Sequence, residues 1–334
     1  MIRAVRRAVL AVVCLAVPGA ARAAAGDALH ELALRYAPVV RLSEQEAPCA
    51  RGESFEPIDV RAIFGDSRVV LRGPAGFAEA APRAADVARL GDAYALDFPG
   101  NALTSPACSY ERWQRRITTR RAATVYAHVA SEDGKLGLQY WFFYVYNDFN
   151  NKHEGDWELI QLDFDAATPA AALRTHPFEV GYSQHAAGER AEWGAAKLEL
   201  VDGTHPVVYP AEGSHAGYFS GALYLGRSAA EGFGCDDTNP PWRQLRPSVE
   251  VIPESRRAAR AAFPGSPSVA AGASGAKAST TRRRGRPRRR SGRGRSAGRT
   301  GPGARAASPS PADARSGRPR RRSSAARWAA RRRS

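Results

Sequence analysis

The sequence predicts a mainly β protein: a β-sandwich-like domain with a short N-terminal helix, followed by a low-complexity basic tail. Three observations predict it. Most apolar runs are short, rich in Val, Phe, Tyr and Trp, and separated by Gly, Pro, Asn and Asp. The run 135–146 is apolar on both alternating faces, with Leu136, Leu138, Tyr140, Phe142 and Tyr144 on one and Trp141, Phe143 and Val145 on the other. A strand of that kind is covered on both sides, as in the middle of a sandwich. Finally, the chain carries no internal repeat and no long amphipathic pattern of helical period.

The elements follow in order. Arg3, Arg6 and Arg7 precede an apolar stretch over 8–17, and small-residue cleavage sites follow at Ala21-Arg22-Ala23 or Ala23-Ala24-Ala25. This is the pattern of a signal peptide over residues 1–25. The stretch is short of the roughly 20 apolar residues that span a bilayer, and no later segment is a transmembrane candidate. A helix is expected over 27–35, with Asp27 as its cap, Leu29, Leu32 and Ala33 at helical spacing, and Pro38 ending it. A second short helix is expected over 84–90. Strands are expected over 68–71, 124–130, 135–146, 156–165, 178–184, 198–201 and 206–209.

Charge separates the chain into two objects. Its 334 residues hold 49 Lys+Arg and 33 Asp+Glu, a net +16. The tail, 256–334, has 24 Lys+Arg and one acid, Asp313, so it carries +23 and leaves −7 for the rest. Without the four leader arginines, the domain over 26–255 stands at −11. Net charge therefore excludes reading the domain as a specific nucleic-acid binder. The tail cannot bury a core and reads as a disordered polycation able to hold anionic polymers non-specifically. A frameshift product is the second reading. One base out of phase, from Phe263 to Pro287, GC-rich synonymous codons spell PWLAFRGRWGERRQGFYNAPTGPT, which looks globular.

Cys14 leaves with the leader, so Cys49, Cys108 and Cys235 remain. An oxidising compartment favours one disulfide and one thiol left over. Three pairings are open. Cys49–Cys108 is favoured because both lie in Pro-containing, loop-like sequence.

The densest polar cluster, 147–158, joins the most apolar strand to the next. Along that next strand Asp156 and Glu158 share a face with Ile160, Leu162 and Phe164, so both carboxylates point inward at the mouth of the core. Two carboxylates about 7 Å apart repel one another and resist desolvation. They call for a cation, donated hydrogen bonds, arginine partners or a shared proton. With His153 nearby, the donor set suits Ca²⁺, Mg²⁺ or Mn²⁺. His215 in Gly213-Ser214-His215, and Asp236 or Asp237 after two glycines, are further candidate ligands. No G-x-S-x-G elbow, phosphate loop or zinc spacing is present in the domain over 26–255. His30, His128, His176, His185 and His205 are read as structural or solvent-facing, and Trp113, Trp193 and Trp242 as packing.

RYAPVVRL (35–42), YWFFYVYND (140–148), HEGDWELIQL (153–162) and HPVVYPAEGSHAGYF (205–219) resemble the family named after fungal vacuolar protein sorting-associated protein 62. The resemblance covers about residues 36–253 and implies no established biochemical activity. Relatives tend to end in a GRWG…GPTGP-like segment, which the shifted frame supplies. More distantly, GDWE is similar to the H-D-W-E centre of the necrosis- and ethylene-inducing-like proteins. Those are secreted β-sandwich proteins that bind a divalent cation and act on membrane sphingolipids. Carried over by motif, that similarity implies Asp156 and Glu158 as ligands and His153 as a shifted counterpart, with Glu154-Gly155 intervening.

The expected function is an exported protein that binds a divalent cation and an anionic or polyol ligand, whether a small molecule, a glycan or a lipid. One alternative is a metal-assisted hydrolase in which Glu158 or His215 moves the proton. The other is a polycationic adhesion protein acting through its tail.

Overall fold

Apolar alternation with a period of two, interrupted by turn residues, produces many short strands and few helices. In a computed structural model the described residues are 18–252, apart from 88, 89, 91, 92, 104–106, 186 and 229–231. Most of the signal peptide expected over 1–25, and the whole of the basic segment 256–334, lie outside them.

Helix α1 (Pro18–Arg35) leads into β1 (Val39–Ser43), β2 (Val70–Arg72), β3 (Ala78–Ala80), the one-turn α2 (Ala84–Val87) and β4 (Ala95–Asp97). Then come α3 (Ala107–Thr118), β5 (Thr124–Glu132), β6 (Lys135–Asn147), β7 (His153–Phe164) and α4 (Pro169–Ala172). The chain continues through β8 (Glu179–Gln184), β9 (Ala187–Glu192), β10 (Leu200–Val201), β11 (His205–Pro210) and β12 (Gly217–Tyr218). It closes with β13 (Leu223–Ser228), β14 (Gly232–Asp237), β15 (Trp242–Leu245) and β16 (Ser248–Val251).

Six strands form one sheet in the order β16-β5-β6-β7-β8-β9. A second sheet runs β10-β11-β1-β15, with β12 also on β11. Two pairings, β1 with β11 and β16 with β5, are parallel, and both join strands far apart in sequence. The two sheets face each other. The Tyr182 hydroxyl on β8 donates to the Val207 carbonyl on β11 at 2.8 Å, and the Tyr182 ring stacks on Phe219 at 4.0 Å. Between them Leu136, Leu138, Tyr140, Phe142 and Tyr144 of β6 are buried with Ile160, Leu162 and Phe164 of β7 and with Val40 and Leu42 of β1. The inward face expected from alternation is the one observed.

The opposite face of β6 is covered as well. Phe143 and Trp157 pack there beside Tyr126, while Trp113 of α3 meets Phe98 at 4.9 Å. A separate three-stranded sheet runs β3-β2-β4. At the far end of the sandwich Leu32 and Ala33 of α1 and Tyr36 just after it are buried, and the Tyr140 hydroxyl donates to the Ala33 carbonyl at 2.8 Å.

Three expectations are corrected. The N-terminal helix does not start at an Asp27 cap but reaches back to Pro18, so Asp27 lies inside it. An amphipathic helix, α3, does exist, and Cys108 sits on it rather than in a loop. Its inward face carries Glu111 and Gln114 beside Tyr110, Trp113 and Ile117, and those two polar side chains broke the apolar period. Glu111 is satisfied by the Cys49 backbone N–H at 2.9 Å and by Arg115. The strands beginning at Ser248 and Gly232, the β1 strand, and the β9 hairpin partner were not anticipated.

The expected disulfide is present. Cys49 and Cys108 are bonded with Cα atoms 5.2 Å apart, tying the loop after β1 to the start of α3, and Cys235 remains free and exposed. No described helix is long and apolar enough to cross a membrane.

Candidate metal and ligand site

The site forms at the end of the sandwich opposite α1. Strand β6 leaves the core at Asn147, the chain turns, and β7 brings it back, so 147–158 lies over the gap between the sheets. In this register Tyr144 stands opposite Asp156 and Phe142 opposite Glu158, and both carboxylates point inward.

Asp156 is buried at 9% exposure. Its Oδ2 accepts from Asn147 Nδ2 at 2.9 Å and from His215 Nδ1 at 2.9 Å. Its Oδ1 faces His153 Nε2 at 3.4 Å. In an unbroken strand residues 153 and 156 would point to opposite faces. Gly155 removes that restriction. At φ +70 it occupies the left-handed region and inserts a kink that turns His153 onto the Asp156 side. Glu154 turns elsewhere, accepting from the Phe98 backbone N–H at 2.7 Å and from the Tyr110 hydroxyl.

His215 is fully buried and lies beneath Asp156 rather than open to the mouth. It holds φ +57, a conformation that costs a residue with a side chain free energy unless its surroundings enforce it. Its Nε2 is 3.5 Å from Glu53 Oε1 and makes no hydrogen bond. Burial alone would lower the imidazole pKa, but Glu53 and Asp156 on either side raise it to about 10. For Asp156, burial acts upward, and the hydrogen bonds from His153 and His215 overcome it and hold the carboxyl well below the usual range.

Glu158 behaves oppositely. Burial, reinforced by the charges of Asp156 and Asp236, pushes its carboxyl well above the usual range. Its Oε2 accepts from the Ser183 hydroxyl on β8, whose oxygen in turn accepts from the Leu159 N–H at 3.0 Å.

Asp236, 3% exposed, takes the Ser214 hydroxyl on Oδ1 and the Tyr218 hydroxyl at 2.7 Å on Oδ2, which also meets His185 Nε2 at 2.7 Å. The Phe149 ring lies 5.0 Å from His185, beside these groups. Asp237 is separated from its neighbour: it pairs with Arg51 and accepts from Asn239. Successive residues on a strand face opposite ways, so only one of the two acids reaches the site.

Asp156, Glu158, His153, His215 and Asp236 are thus brought together, and Asp237 is not. Of the partners that Asp156 and Glu158 call for, donated hydrogen bonds are present: Asn147 and His215 serve Asp156, with His153 facing it, and Ser183 serves Glu158. Glu53, Asn147, Ser183 and His185 were missed as site residues. Asn147 stood within the polar cluster, and correct pairing of β7 with β8 would have found Ser183. Nothing local marks Glu53.

Ser214 donates to Asp236, and His215 lies between Glu53 and Asp156, so these two neighbours do not pair with each other as nucleophile and base. Among the described residues no group of three or more His, Cys, Asp and Glu side chains is gathered closely enough to enclose a metal. A cation here would rest on the two β7 carboxylates and complete its shell with water or ligand. The oxygen-rich donor set and the mutual repulsion of the carboxylates fit a hard divalent ion.

No family model matches the chain, and no curated protein matches it. Among solved structures, it is similar to NLPPya in complex with glucosamine at 13% identity and TM-score 0.35, over 71% of this chain and 80% of that one. A non-toxic HaNLP3 protein matches at 10% identity and TM-score 0.35, over 70% and 80%. Necrosis and Ethylene inducing Protein 2, from the causal agent of cocoa's witches' broom disease, matches at 17% identity and TM-score 0.26, over 42% and 56%.

Proposed function

We propose that the chain is an exported binding protein that takes a divalent cation, Ca²⁺, Mg²⁺ or Mn²⁺, on Asp156 and Glu158. Through open coordination positions the cation would receive an anionic or polyol ligand, such as a glycan or a lipid headgroup. One observation carries the reading. Each carboxylate has one oxygen held by donors, Oδ2 by Asn147 and His215 and Oε2 by Ser183. Repulsion between these two acids and Asp236 leaves Glu158 short of compensating positive charge, which a cation would supply. His153 and His185 stand at the rim. The Cys49–Cys108 disulfide is consistent with export, because such bonds persist in oxidising compartments.

Thermal unfolding of the full chain in Ca²⁺, Mg²⁺ or Mn²⁺ tests this. A cation adds about 2.7 kcal/mol at a hundredfold excess over its Kd. The expected rise in Tm disappears in Asp156→Ala and in Glu158→Gln. Absence of any rise with all three ions would return the carboxylates to structural pairing.

A further inference from the structure

Glu53 lies in the segment after β1, far in sequence from β7, yet it is 2% exposed and sits under the site. Its carboxylate is held by backbone. The Phe55 N–H donates to Oε1 and the Gly213 N–H to Oε2, each at 2.7 Å. Gly213 holds φ +75, a conformation that favours glycine, and a Cβ there would crowd the Asp148 carbonyl oxygen at 3.1 Å. So placed, Oε1 faces the Nε2 edge of His215 at 3.5 Å.

The imidazole has little freedom left. Tyr144 stacks on its face, Phe55 meets it edge-on at 6.3 Å, and its other nitrogen reaches Asp156 Oδ2. A carboxylate that orients a histidine from behind is the usual device for aiming a ligating ring. Here the histidine addresses a second carboxylate. With Asn147 and His215 both on Oδ2, Asp156 cannot swing that oxygen outward without losing two hydrogen bonds, and Oδ1 is the one turned toward His153 and the mouth.

We propose that Glu53 is a positioning residue of the cation site, acting through His215 to select the oxygen of Asp156 that faces the cation. The proposal rests on the cation reading above. Glu53 touches no ligand itself; it keeps the His215 Nδ1–H directed at Oδ2.

The test uses the full chain labelled with ¹⁵N-histidine, stripped with chelator and then titrated with Mn²⁺ or, for spectra, Ca²⁺. Wild type should show a slowly exchanging proton on His215 Nδ1. In Glu53→Gln that signal should shift or vanish while near-ultraviolet circular dichroism is retained, and Mn²⁺ affinity should fall about 10- to 100-fold, the usual cost of losing such a supporting partner. A folded Glu53→Gln with the signal in place and Mn²⁺ bound within twofold of wild type overturns the positioning role alone. Should Glu53→Gln fail to fold, wild type decides: a bare Nδ1 overturns the proposal, and a protonated Nδ1 whose resonance moves on Ca²⁺ binding supports it. Wild type that binds none of the ions overturns the cation reading and, with it, the purpose assigned to Glu53.

Discussion

The imidazole of His215 lies flat on the ring of Tyr144, with centroids 3.9 Å apart and planes within 3°. Tyr144 belongs to the most apolar strand of the sequence and His215 to a turn on the opposite sheet, so the stack bridges the sandwich at its open end. It also places a positive ring between two buried acids, Glu53 and Asp156. Replacing His215 by Phe keeps the ring contact and removes the charge. The expected cost is about 3–5 kcal/mol, because two buried carboxylates lose their compensating partner. Urea unfolding of wild type and His215→Phe measures it, and a difference below 1 kcal/mol would mean the acids are satisfied without the histidine.

The raised pKa of His215 carries a pH dependence. The folded state holds the proton more tightly than the unfolded chain, so this stabilisation is complete below the unfolded value of 6.5 and is lost as pH rises through about 10. Asp156 has the opposite sense: its contribution is present above 3.8 and is lost as pH falls further. In chelator, Tm should therefore decline from pH 7 toward pH 10, and less steeply in His215→Phe.

Gly155 is open to a single-atom test. A methyl there would meet Phe143 only at 3.5 Å, so space is not the obstacle; the backbone at φ +70 is. Gly155→Ala is expected to lose about 1–2 kcal/mol from the left-handed conformation. If the chain relaxes to a regular strand instead, His153 leaves Asp156, and the histidine's raised pKa returns toward its ordinary value in an NMR titration.

The Cys49–Cys108 bond closes a separation of 59 residues. Its removal in Cys49→Ser/Cys108→Ser should cost about 2–5 kcal/mol. Reductant should lower the Tm of wild type and leave the double variant unchanged, since Cys235 has no described disulfide partner.

Where side-chain chemistry repeats along the chain, the fold was legible before any coordinates. The two-sided apolar run predicted the buried position of β6, and alternation along β7 placed Asp156 and Glu158 inward beside Ile160, Leu162 and Phe164. Helix α3 was not legible, because Glu111 and Gln114 interrupt its apolar face, and the partners that let Glu111 be buried are supplied only by folding. The parallel pairings of β1 with β11 and β16 with β5 escaped for a related reason: strand pairing at long separation leaves no local signal.

The same division runs through the site. By itself the sequence determined the β class, the basic composition of residues 256–334, and the strand that carries two inward carboxylates. Each follows from composition or from a period of two within one segment. Only the tertiary structure decided that Asp236 joins the cluster while Asp237 turns to Arg51, that the Gly155 kink brings His153 round, and that Glu53 stands behind His215. Those outcomes depend on backbone dihedrals and on contacts between distant segments, and the energy of a buried charge is set by whatever folding places within a few ångströms of it.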